Sequence, residues 1–243
     1  MRDPNLERIE LVATALGSLR DELVFVGGCA AGLLMSDPGA TPIRATFDVD
    51  LVAHVTALSQ YHELEAQFTQ LGFKRDMTAD APICRWRFRG IAVDLMPTDP
   101  RVLGFANRWY PLAMETAQGV VLLSGAVIRL ISGPAFIATK FEAFSGRGQG
   151  DLLASHDLED IVNVIASRTQ ILDEIADSPA ELRTYLADRC RELLSRPDFS
   201  SYLPGLILGE SPEAQTDEVL DRLQAIADAG VFTPDSQIRA SQS

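Results

Sequence analysis

Cysteine is scarce in this chain, and lysine scarcer still. The three cysteines among 243 residues, Cys29, Cys84 and Cys190, are odd in number and too widely spaced for a disulfide framework or a zinc pattern. They are expected to be reduced, small core residues. Of the 21 basic residues only Lys74 and Lys140 are lysines. His54, His62 and His156 stand isolated in the sequence, and none is expected to ligate a metal. Positive charge is in deficit overall: the net charge of −13 argues against a broadly basic nucleic-acid-binding surface, though not against a local basic groove. No apolar stretch reaches membrane-spanning length, and the start, Met1 to Arg8, lacks the apolar core of a signal peptide. A cytoplasmic location with no membrane contact is therefore expected. What is present is an ordinary globular composition, 47% apolar and 23% charged, able to bury a substantial core.

An apolar run ending in a diglycine, Val24-Phe25-Val26-Gly27-Gly28, reads as a strand from Leu23 to Val26 turning into a short helix from Cys29 to Met35. A leading amphipathic helix over residues 4–20 precedes it, and Ser36-Asp37-Pro38-Gly39 forms a turn after it. Thr46-Phe47-Asp48-Val49-Asp50-Leu51 then alternates as a strand, with Phe47, Val49 and Leu51 expected in the core. A helix over 57–71 stops at Gly72. Residues 83–96 alternate on both sides of Arg89-Gly90 and predict a two-residue hairpin. Its register pairs Phe88 with Ile91, Arg87 with Ala92, Trp86 with Val93 and Arg85 with Asp94. Strand candidates at 120–123 and 127–131 flank Ser124-Gly125. From Pro134 onward the chain reads as helices, one starting at Ser178-Pro179-Ala180-Glu181. A Pro/Gly/Ser-rich connection over 197–213 and a last helix over 213–229 complete it. The expected division is a core over 1–132, a helical carboxy-terminal domain over 133–230 and a frayed tail over 231–243.

The chemistry concentrates on three aspartates. Alternate strand residues share a face, so Asp48 and Asp50 point the same way, and close carboxylates repel unless a cation lies between them. Hard oxygen ligands suit Mg²⁺, commonly shared with substrate phosphates. The hairpin register brings Asp94 to one polar face with Arg85 and Arg87, so Asp94 either completes a metal site or simply pairs with Arg85. Gly27 and Gly28 let backbone N–H groups approach a phosphate at a helix start, or are an ordinary strand-to-helix turn. Farther on, Lys140 and Arg147 lie on one helix face, and Asp157 and Asp160 on another. These faces are expected to meet over a nucleotide, unless the two acids are only a solvated first turn favoured by the helix dipole. Trp86, Phe88, Trp109 and Tyr110 read first of all as core residues.

The order Gly27-Gly28-Cys29-Ala30, Arg44 to Asp50, Val93-Asp94-Leu95, Lys140-Phe141-Glu142-Ala143 and Asp157 to Ile161 resembles the AbiEii/AbiGii nucleotidyltransferases. These are polymerase-β-type enzymes best known as toxins of toxin–antitoxin systems. The resemblance runs over about residues 23 to 165. It implies an α+β fold: a polymerase-β-type nucleotidyltransferase core, with a mixed sheet flanked by helices, and a helical carboxy-terminal domain. It also implies transfer of a nucleoside monophosphate from a nucleoside triphosphate to an RNA or protein acceptor, and a cognate antitoxin. Catalysis and metal binding fall to Asp48, Asp50 and Asp94, with two Mg²⁺ ions about 4 Å apart. Nucleotide contacts fall to Gly27, Gly28, Lys140, Asp157 and Asp160. Cys29 stands where a hydroxyl residue is common in the family, and His156 where a basic residue is usual. A Rossmann oxidoreductase is the rival enzyme class, since an acid about twenty residues after a glycine turn is also its mark, but the glycines at 27, 28 and 32 break its motif. A non-catalytic binding protein of the same fold is the other alternative.

Overall fold

The computed structural model describes residues 3–36, 44–146, 152, 155–209 and 211–229. In chain order the elements are α1 (Pro4–Leu16), a 3₁₀ turn (Gly17–Asp21), β1 (Leu23–Val26), α2 (Gly27–Leu34), β2 (Asp48–Ala53), α3 (Leu58–Gln70), β3 (Lys74–Arg75), β4 (Arg85–Phe88), β5 (Ile91–Pro97), α4 (Pro100–Leu103), α5 (Tyr110–Glu115), β6 (Gln118–Val121) and β7 (Val127–Leu130). Helices follow: α6 (Gly133–Gly146), α7 (His156–Ser167), α8 (Ile171–Ala176), α9 (Ala180–Leu194), α10 (Phe199–Leu206) and α11 (Pro212–Ala229). The architecture is α+β, a mixed seven-stranded sheet followed by a helical carboxy-terminal region. Asp37 to Gly39 of the expected turn, Arg147 and the expected tail 231–243 lie outside the described residues. No helix among the described residues is long and apolar enough to cross a membrane.

Strands are ordered β3-β4-β5-β2-β1-β7-β6. β1 runs antiparallel to β2 and parallel to β7, and β2 runs parallel to β5. The antiparallel β1–β2 pair, joined through α2, is incompatible with the Rossmann βαβ unit. The hairpin pairs as the alternation predicts, Arg85 with Asp94 through Phe88 with Ile91. Arg89 and Gly90 both take positive φ, 48° and 84°, which matches the right-handed twist of the strands they join. Central strands β1, β2 and β5 are buried on their apolar faces, and Val49, Leu51, Val93 and Leu95 are at most 1% exposed.

Several expectations change. Phe47 does not enter the core. It precedes the first paired residue of β2, is 78% exposed, and lies beneath the Arg8 guanidinium at 5.6 Å. α2 begins at Gly27 rather than Cys29, so the glycines are its first two residues. The segment 197–213 is not a bare connection: Phe199, Leu203 and Leu206 are buried and fold residues 199–206 into α10 despite Pro204. Burial of an apolar face outweighs poor local propensity there.

α6 is apolar nearly all round, its residues from Gly133 to Phe141 all buried, as befits a helix enclosed by others. α7 carries Leu158, Ile161, Val162 and Ile165 against the same hydrophobic cluster that lines the sheet. Asn163 of α7 is 2% exposed. Its Nδ2 donates to the Glu159 and Leu206 carbonyls at 2.7 and 2.8 Å, and its Oδ1 accepts from Leu208 N at 2.8 Å. Truncation strands these buried backbone groups, so Asn163→Ala is expected to lower stability by about 2–4 kcal/mol. Urea unfolding checks this, and an unchanged midpoint would show that the bridge contributes nothing.

Candidate active site

Asp48 and Asp50 sit on one face of β2 because Val49 between them is buried on the other. Asp94 is the register partner of Asp50 on the neighbouring parallel strand, so its side chain emerges on that face too. The three aspartates each offer a carboxylate oxygen within 4.8 Å of the others, the only such metal-competent group among the described residues. They share the floor of a cleft of about 750 Å³, together with Gly27, Gly28 and Lys140.

Arg85 crosses this group. Its Nε donates to Asp94 Oδ1 at 2.8 Å and its Nη2 to Asp94 Oδ2 at 2.7 Å, a two-pronged pairing of planar groups. Nη2 also reaches Asp48 Oδ2 at 3.3 Å. The Asp94 hydrogen bonds hold the guanidinium in its charged form and raise its pKa above the usual arginine range. Both readings of Asp94 thus meet at one atom pair: it belongs to the acidic triad and it is paired with Arg85.

Gly27 has φ of +72°, a region favouring glycine. A methyl group built there would overlap the Asp50 carboxylate, its Cγ only 2.6 Å away. The first glycine is therefore required by the acid that leans over it. A Cβ at Gly28 would meet Thr46 Cγ2 at 3.0 Å, Arg44 Nη2 at 3.2 Å and Asp160 Oδ2 at 3.3 Å. The start of α2 is thus where the strand acids and the helical constellation adjoin.

In that second constellation, Lys140 Nζ lies 2.9 Å from Asp157 Oδ1 and 2.7 Å from Asp160 Oδ2. Lys140 of α6 thus meets the acidic face of α7, while Arg147, expected beside it, lies outside the described residues. Burial by itself pulls the lysine pKa down, but the two carboxylates outweigh it and the net shift is upward, so Lys140 stays protonated inside a helix that is otherwise apolar. Arg44 adds a second cation, 3.2 Å from Asp160 and 3.7 Å from Glu159. His156 lies on the exposed side, its Nδ1 3.3 Å from Glu159 Oε2.

Sequence reasoning missed the supports. Asn5 of α1 is fully buried, its Nδ2 donating to Arg44 O and its Oδ1 accepting from Thr46 N, both at 2.9 Å. One amide thereby fixes the stretch that delivers Asp48. Nothing local signals this, because the partners lie 39 and 41 residues apart. Tyr110 is buried as expected but also lines the cleft, with Phe105 and Asn107 beside it. The cysteines offer no nucleophile: burial pushes the Cys29 and Cys84 thiols up to about 12.

No family model matches the chain, and no curated protein does. Two solved structures align over nearly its whole length. JHP933 from Helicobacter pylori is 13% identical, with 95% of this chain and 94% of that one covered and a TM-score of 0.47. A chain described as a "putative nucleotidyltransferase from H. pylori" is 14% identical, with 95% and 97% covered and a TM-score of 0.46. None of these comparisons shows the AbiEii/AbiGii family.

Proposed function

We propose that this chain is a divalent-metal-dependent nucleotidyltransferase that moves a nucleoside monophosphate from a nucleoside triphosphate to a hydroxyl of an RNA or protein acceptor. The observation that carries this reading is the meeting of Asp48, Asp50 and Asp94 within 4.8 Å, on a cleft floor shared with the opening glycines of α2. The donor set fits Mg²⁺, since it consists of hard carboxylate oxygens. The cleft is lined by Asp48, Asp50, Asp94 and Asp157 against the permanent cations Arg44, Arg85 and Lys140, so a triphosphate is repelled unless divalent cations accompany it.

Asp48, Asp50 and Asp94 would hold one or two such ions, which when bound neutralise the phosphates and acidify the attacking hydroxyl. The acceptor oxygen attacks the α-phosphorus and the bond to the departing pyrophosphate breaks. Asp94, whose two oxygens are held by Arg85 while the cleft is empty of nucleotide, accepts the hydroxyl proton on an oxygen that Arg85 has released. The first N–H groups of α2, at two residues that carry no Cβ of their own, offer donors to a phosphate. Lys140, with Asp157 and Asp160 orienting it, supplies a fixed positive charge to the triphosphate. A toxin role with a cognate antitoxin belongs to the proposal on the order of the sequence motifs alone.

The test is incubation of the purified protein with each α-labelled nucleoside triphosphate and total RNA and protein extract, with Mg²⁺ or with excess chelator. Label is expected to enter one acceptor class with Mg²⁺ and not with chelator. Protein inert under every condition would favour the non-catalytic reading, to which the Arg85 clasp on Asp94 also conforms.

A further inference from the structure

Arg85 does more than pair with a neighbour. It holds both oxygens of Asp94, at 2.8 and 2.7 Å, and touches Asp48 at 3.3 Å, so it engages two of the three acids that form the proposed metal site. The pairing is shielded from water, the Arg85 side chain being 23% and that of Asp94 9% exposed, which strengthens it relative to a surface ion pair. Its place is built in by the backbone. Arg85 is the register partner of Asp94, its N–H donates to Pro82 O at 2.9 Å, and its carbonyl accepts from Asp76 N at 3.0 Å. These bonds and the hairpin pairing hold the backbone at Arg85, so the guanidinium can leave Asp94 by rotation of its own side chain. The cleft that Arg85 lines gives it room to do so.

We propose that Arg85 is an internal counter-ion that competes with a divalent cation for the Asp94 and Asp48 carboxylates, keeping the metal site weak until a triphosphate offers the guanidinium another anionic partner. The proposal rests on the metal-site reading above. A cation and a guanidinium seek the same oxygen lone pairs, and their charges repel across a few ångströms of partly dry protein. A triphosphate in the cleft resolves the conflict, because its oxygens accept the same planar fork while bringing their own divalent ion. Arg85 then passes from acid to phosphate as the ion takes its place. Toward the metal it acts indirectly, through the Asp94 and Asp48 carboxylates.

The test is Mn²⁺ binding to the full chain without nucleotide, followed by electron paramagnetic resonance of the free ion. Arg85→Gln removes the competing charge and is expected to tighten Mn²⁺ binding by about tenfold or more. Arg85→Lys keeps a charge but loses the fork, with a smaller gain of about threefold expected. Thermal melting is recorded for both, and if Arg85→Gln does not melt cooperatively, Arg85→Lys decides. Binding unchanged or weakened in the folded variants overturns the proposal while leaving the metal site standing. Absence of Mn²⁺ binding from wild type and variants alike overturns both the proposal and the metal-site reading.

Discussion

Replacing Asp48 and Asp50 together by alanine is expected to end Mg²⁺-dependent label transfer, with a fall of at least about a thousandfold in rate, because bound cations contribute several kcal/mol of transition-state stabilisation. Folding should survive the change. Both side chains are only half-buried, and removing two crowded like charges relieves repulsion that the fold otherwise carries. The melting temperature is thus expected to hold or rise while transfer disappears. Combined loss of transfer and of cooperative melting would mean only that the fold was broken, so the isosteric pair Asp48→Asn and Asp50→Asn is measured alongside. Transfer retained within tenfold of wild type in the melting-competent variants would place the reaction elsewhere in the molecule.

Gly27→Ala is the second large effect. The φ of +72° costs an alanine about 1–2 kcal/mol, and its methyl would have to displace the Asp50 carboxylate. Overpacking in a tight site adds about 1–3 kcal/mol, so a total loss of roughly 2–5 kcal/mol is expected by urea unfolding. The activity consequence is steeper than the stability one, since the displaced group is itself a proposed ligand. Transfer should fall about a hundredfold or more, as misplacement by one ångström does elsewhere. A fully active, fully stable Gly27→Ala protein would refute the close approach between α2 and β2.

Where patterns are local, the sequence declares them. The hairpin register was readable because Arg89-Gly90 sits between two alternating runs, and it pairs Asp94 with Arg85; the parallel β2–β5 pairing that sets Asp94 beside Asp50 was not readable in that way. The Asp48/Asp50 face followed from the two-residue period of β2. Helix periodicity put Asp157 and Asp160 on one face of α7 and Lys140 on a face of α6, but by itself it read the two acids as a solvated first turn; that they meet Lys140 is set by the packing of α6 on α7. Other features depend on contacts distant in sequence. Phe47 was assigned inward by alternation, yet at the strand's very start no neighbouring strand encloses it, and it turns to Arg8. α10 was hidden because Ser200, Ser201, Pro204 and Gly205 speak for a loop, and only the burial of Phe199, Leu203 and Leu206 overrules them. β3 has two residues, too few for any period. The Asn5 clamp and the Arg44 bridge to α7 join segments 39 to 116 residues apart, for which a single sequence holds no sign.

Asp94 lies on a strand hydrogen-bonded on both sides, to β4 and to β2, and faces Asp50 across the latter pairing. The roots of these two side chains are therefore held at the spacing of a sheet, which breathes far less than a loop. A pocket whose acids are spaced this way has little freedom to swell or contract around ions of different radius. On the proposed function, discrimination among cations then falls to whatever can still move, chiefly side-chain rotation and incoming phosphate oxygens, and a larger ion such as Ca²⁺ would be accommodated at the expense of the in-line geometry that the proposed transfer demands.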